Sequence, residues 1–172
     1  KRFKNVLIHL SIDGIGSYHD LIRYPSNWQE MEKKLDWWDS TSDNVEVTID
    51  TTASILNIMH IPDIVKWKLE KNYKKISKYP TNKGLIGIHF LHSPEFLNVT
   101  VLPKELKELA TEKYNELFNH LDKDVLNKYK KFDALLDFMN SKDNSHMWEK
   151  TLKYLDNMDS IRQTNWKNVL LD

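Results

Sequence analysis

The sequence predicts an α/β fold, a partial (β/α) TIM-like barrel of three parallel βα units followed by a helical C-terminal extension. Two observations carry the prediction. Three β-rich runs, "VLIHLSID", "VEVTIDTT" and "LIGIHFLH", begin near Val6, Val45 and Leu85, about 40 residues apart, and each leads through a polar connection into a stretch of helical periodicity. Each run also has one apolar face and one face carrying polar groups. The expected division is a barrel portion over 1–121 and a helical extension over 122–172.

On the first strand, Val6, Ile8, Leu10 and Ile12 share a face, and Leu7, His9, Ser11 and Asp13 share the other. The second strand sets Val45, Val47 and Ile49 against Glu46, Thr48, Asp50 and Thr52. The third sets Ile86, Ile88 and Phe90 against Leu85, Gly87, His89 and Leu91. A sheet covered by helices on both sides reads apolar throughout, so this alternation suits an arc of barrel with helices outside and a functional interior. Ser11, Asp13, Asp50 and His89 would line that interior, with Asp13, Thr51, Thr52 and His92 at the C-terminal strand ends. Three βα units do not close a barrel. Together with a start at Lys1 almost directly into a strand, this leads to the expectation of further strands upstream or on a partner chain.

The first helix is expected to begin at Ser26, with Gln29 completing a capping box and Trp28, Met31, Leu35 and Trp38 forming its buried stripe. The second follows Pro62, with Ile64, Val65, Trp67, Leu69, Tyr73 and Ile76 as packing residues. The third starts at "LPKELKEL", where Pro103 suits the first turn. Beyond residue 122, "DVLNKYKKFDALLDFMN" and "HMWEKTLKYLDNMDSIR" read as amphipathic helices about the polar turn "SKDNS".

With 25 Lys+Arg balancing 25 Asp+Glu, net charge gives no reason to expect nucleic acid or an anionic membrane as partner. No cysteine occurs, which excludes disulfides, cysteine nucleophiles and cysteine-ligated clusters within these 172 residues. No apolar run reaches the ~18 residues of a membrane span, and a cytoplasmic setting is expected. "GIGSYH" places His19 where a dinucleotide fingerprint has its third glycine. His89 and His92 lie on opposite faces of an extended strand, so no metal pair is expected.

The polar concentration in "LSIDGIGSYHDLIRYPSNW" (10–28) leaves two readings on chemistry alone. In one, Asp13 caps a turn at Gly14 and Arg23 makes a surface ion pair. In the other, strand-end groups hold ribose hydroxyls and Arg23 takes a carboxylate.

This stretch resembles the fourth-strand segment of radical S-adenosylmethionine (radical SAM) enzymes, closest to the twitch-domain-containing ones. The similarity runs on through "VTIDTTASILNIMHIPDIVKW" and "HFLHSPEFLNVTVLPKELK", like the fifth and sixth strands with their connections, and to "LDNMDSIRQTNW". The resemblance implies S-adenosylmethionine as cofactor, with Ser11, Asp13 and Gly14 near its ribose and Arg23 at its amino-acid end. It further implies Thr51, Thr52 and Asn57 near the adenosine and His89 on the interior near adenine or substrate. The family's [4Fe–4S] cluster belongs to an N-terminal half that this chain lacks. The expected partners are that half, in the same or another chain, and an unidentified substrate. Alone, the chain is expected to be inactive. A non-catalytic binding or assembly module is the alternative, with a metal-dependent hydrolase on the His/Asp interior a third.

Overall fold

The computed structural model describes residues 3–76, 85–122 and 130–171. It is an α/β protein with a three-stranded parallel sheet and, among the described residues, seven α-helices. The strands are β1 (Val6–Ser11), β2 (Val45–Ala53) and β3 (Gly87–Phe90), in the order β1-β2-β3. β1 and β2 pair in register from Val6 opposite Val45 to Ser11 opposite Asp50. The expected strands are therefore present, the third starting two residues later than its apolar run because Leu85 and Ile86 form a buried bend before it.

The chain divides into two compact units, one of residues 1–52 and 63–89, the other of 53–62 and 90–172. The helix ending at His120 lies in the second of these units, with the C-terminal helices.

In the first unit, Ile12, Val47, Ile49 and Ile88 are buried, whereas the side chains of Leu7, His9, Ser11 and His89 are exposed. One sheet face is thus core and the other meets solvent at its two edge strands. Between β1 and β2 the chain makes α1 (Ser17–Ile22), a short helix within the polar connection ahead of the first expected helix, and then α2 (Trp28–Asp39). Gly14 is fixed by close approach, because a Cβ there would come within 2.8 Å of the Tyr18 Cβ. Gly16 takes φ 55° as the residue preceding α1, a conformation that glycine adopts without steric cost.

The cap of α2 is Asn27, whose side chain accepts from Glu30 N at 3.3 Å, one residue later than the expected Ser26. Ser26 is diverted to His19, its Oγ lying 2.9 Å from Nε2. Leu35 is the buried anchor of α2, with Trp28 packed edge-on against Trp67 of α3 (Ile61–Lys71) at 5.2 Å. α3 ends at Lys71, and Asn72 at φ 50° turns the chain. Tyr73 and Ile76, expected on the helix, lie beyond it. Ile76 instead forms an isolated parallel bridge to Val47 and is fully buried.

In the second unit, α4 (Lys104–His120) follows Pro103 and buries Ala110, Tyr114 and Leu117. α5 (Lys130–Asn140) packs Phe132 against Tyr114, their ring centres 5.5 Å apart. Residues 123–129, the start of the corresponding predicted helix, lie outside the described residues. In α6 (Trp148–Arg162) the Thr151 hydroxyl donates to Phe96 O, and the Tyr154 ring lies tilted against Phe96, their centres 5.0 Å apart. The chain finishes with α7 (Lys167–Leu170), anchored through Trp166, whose backbone and indole N–H groups donate to Asp159 and Asp156.

Candidate functional site

The strand-end residues of the first unit are tied to one another. Asp13, 7% exposed just past β1, accepts from Thr52 N at 2.8 Å and from Arg23 Nη2 at 2.6 Å. A carboxylate accepts through both oxygens, so one residue joins the end of β1, the end of β2 and the C-terminus of α1. Arg23, expected to reach a cofactor carboxylate, is committed here to Asp13 through Nη2, while its Nε finds no acceptor among the described residues. Much of the polarity of residues 10–28 is used in the same internal way. Asp20 Oδ1 accepts from Trp28 N at 2.6 Å, adding a second acceptor at the start of α2. His19 is fully buried between Ser26 and Trp28, and burial lowers its pKa despite nearby Asp20.

The remaining expected residues separate clearly. Ser11 ends β1 with its side chain on the exposed face, and its hydroxyl has no hydrogen-bond partner among the described residues. Thr52 shares that face and is half-buried. Thr51, placed near an adenosine by the family resemblance, is fully buried, its hydroxyl donating to Ile12 O at 2.6 Å. Odd positions of β2 point into the core, which is the physical reason that Thr51 does not join the polar face. Asn57 belongs to the second unit, 1% exposed, where its Oδ1 accepts from Ser54 N at 2.8 Å and closes the turn after β2. Gly14 is buried, and its role is the close approach to Tyr18.

A second cluster occupies the polar face itself. Asp50 Oδ2 lies 2.7 Å from His9 Nδ1, and Asp50 Oδ1 lies 3.8 Å from His89 Nε2. Thr48 Oγ1 is 2.9 Å from the same His9 nitrogen. The Asp50 side chain is 12% exposed, between His9 at 39% and His89 at 59%. Gly87 makes this arrangement possible, since a Cβ at that position would stand 1.7 Å from Asp50 Oδ1. The central carboxylate therefore lies down on β3 with a histidine on either side. His9 is absent from the expected site residues, although strand alternation already sets it on the face with Ser11. Its partner lies 41 residues away, and only the register between β1 and β2 brings the two together.

No family model, curated protein or solved structure matches this chain.

Among the described residues, no group of three His, Asp or Glu side chains is arranged to hold a metal ion. No helix among them is long and apolar enough to cross a membrane. The site thus offers an oriented imidazole, a second imidazole near the same carboxylate, and a free hydroxyl at the strand end. These can accept and donate hydrogen bonds to a polar ligand, and the imidazoles can exchange protons with it.

Proposed function

We propose that this chain is the C-terminal part of a radical SAM enzyme, contributing part of a (β/α) barrel and of its cofactor pocket. The observation that carries the reading is the uncovered polar face of a parallel sheet. Parallel sheets are ordinarily covered on both sides, and this one turns Ser11, His9 and His89 outward instead. In a barrel that face is the interior, and ligands gather at the C-terminal strand ends where Ser11 and Thr52 sit.

The residues present suit the nucleoside part of the cofactor and not the cluster. Ser11 Oγ is free to pair with a ribose hydroxyl. A [4Fe–4S] cluster takes cysteine thiolates, and this chain has none, so its ligands under this reading lie outside these residues. The chemistry supplied with the bound cofactor is formation of a 5′-deoxyadenosyl radical. The part of this chain is to bind, orient and exclude water, in a cytoplasmic setting that belongs to the same reading.

Two measurements test it. Titrating S-adenosylmethionine into the ¹⁵N-labelled chain is expected to shift Ser11, Gly14, Arg23 and Thr52, and Ser11→Ala to weaken those shifts. Expressing the full coding region anaerobically is expected to give a brown protein that forms 5′-deoxyadenosine on reduction. A colourless protein that forms none would overturn the enzyme reading. That result favours a non-catalytic binding or assembly module on the same scaffold, which the Asp13–Arg23 pairing supports because it commits Arg23 Nη2 to a carboxylate of the protein itself.

A further inference from the structure

We infer that His9 is a proton-accepting base on the open face of the sheet, held in position by Asp50, and that the ligand it serves presents a hydroxyl group. The inference rests on the reading above in one respect, that a ligand occupies this face.

The hydrogen-bond pattern fixes the tautomer. An ionised carboxylate only accepts, so the 2.7 Å contact from Asp50 Oδ2 requires the hydrogen of His9 to be on Nδ1. Thr48 Oγ1, 2.9 Å from that nitrogen, is a second acceptor on the same side. The neutral ring then carries its lone pair on Nε2, which has no partner among the described residues. A nearly buried carboxylate behind one imidazole nitrogen, with the other nitrogen facing solvent, is the arrangement by which an acid orients a base and stabilises its imidazolium. The step balances simply. The ligand O–H bond breaks, its proton passes to Nε2, the electron pair stays on the ligand oxygen, and Asp50 offsets the new positive charge.

The surroundings indicate the ligand class. Besides Asp50, with buried Thr48 bonded behind the ring, the polar groups of this face include the Ser11 hydroxyl and the His89 imidazole, and Ser11 stands directly opposite Asp50 in the strand register. Neutral donors and acceptors of this kind suit a polyhydroxylated molecule. The charge of Asp50 is also felt by buried Lys68 of α3, which balances part of it from within the protein.

The test uses the intact chain and needs no cofactor. Long-range ¹H–¹⁵N correlation is expected to show His9 as the Nδ1–H tautomer. Bromoacetate is expected to alkylate His9 at Nε2 several-fold faster than His92 and His146, which are exposed and have no carboxylate within hydrogen-bonding distance of the ring among the described residues. Asp50→Asn should bring His9 down to their rate, while His89→Ala, which leaves Asp50 on His9, should preserve it. Ribose, used as a polyhydroxylated probe, is expected to shift the His9, Ser11 and His89 resonances. An Nε2–H tautomer, equal alkylation rates, or shifts from inorganic phosphate with none from ribose would each overturn the inference. None of these readouts involves iron or S-adenosylmethionine. A colourless protein with a fast-reacting His9 therefore removes the enzyme reading alone, and a brown, active protein with an unreactive His9 removes this inference alone.

Discussion

Asp13 and Lys68 show how single residues divide between scaffold and function. Asp13 joins three elements through two bonds, so Asp13→Ala is expected to cost roughly 2–3 kcal/mol by leaving a buried N–H and a guanidinium without their acceptor. Arg23→Ala should cost less, about 1 kcal/mol, because the arginine side chain is 37% exposed and solvent screens the pair. Urea denaturation of both variants reads the difference, and equal losses would remove Asp13 from its bridging role. Lys68 is 2% exposed, and burial lowers its pKa from 10.5 to about 8, with Asp50 opposing the shift. A lysine depressed in the folded state is released from its proton before the unfolded chain releases its own. Stability from this group is therefore lowest below pH 8 and rises between about pH 8 and pH 10.5, by at most roughly 3 kcal/mol. Lys68→Met should flatten that rise in urea titrations across the same range, and an unchanged slope would show the lysine to be solvated.

At the scale of elements, much was legible because hydrophobic period is a direct record of burial. The three strands, and helices over residues 28–39, 61–71, 104–120 and 148–162, stand where alternation or helical spacing puts them. What escaped the pattern depends on partners distant in sequence. Ser26 is a good cap locally, yet the buried His19 takes its hydroxyl and Asn27 caps instead. Tyr73 and Ile76 continue the helical spacing of α3, but Asp39 accepts from Lys74, Lys75 and Ile76 N at 2.9, 2.6 and 3.0 Å and draws this segment out to bridge β2. Burial raises the Asp39 pKa, but those three N–H groups outweigh it and hold the carboxyl below its ordinary value. Asp39→Asn is expected to cost about 1–2 kcal/mol at neutral pH. The deficit should shrink as pH falls through the folded-state pKa of Asp39, because the wild-type carboxylate then protonates too. A deficit constant down to pH 2 would argue against the clamp.

On the scale of the whole molecule, composition and charge are informative in a different way. The formal net charge is zero and the isoelectric point near 7.2, so intermolecular repulsion is weakest at neutral pH. Solubility is expected to pass through a minimum near pH 7 and rise on either side, as turbidity against pH would record. Site assembly was less legible than charge or fold. Ser11 and His89 are on the polar face as alternation requires, and Asp13 is at the strand end, but whether an acid meets a ligand or an arginine is decided by tertiary geometry. Thr51 and Asn57 illustrate the other limit, since their residue types suit a pocket while burial assigns them to backbone contacts.

Gly87 ties two positions that no local rule connects. With Asp50 Oδ1 only 1.7 Å from where a Cβ would stand, even alanine displaces the carboxylate from its seat beside His9. Natural variation at the two positions should therefore be linked. Relatives with any side chain at 87 are expected to carry glycine, alanine or serine at 50, and where aspartate is kept at 50, only glycine at 87.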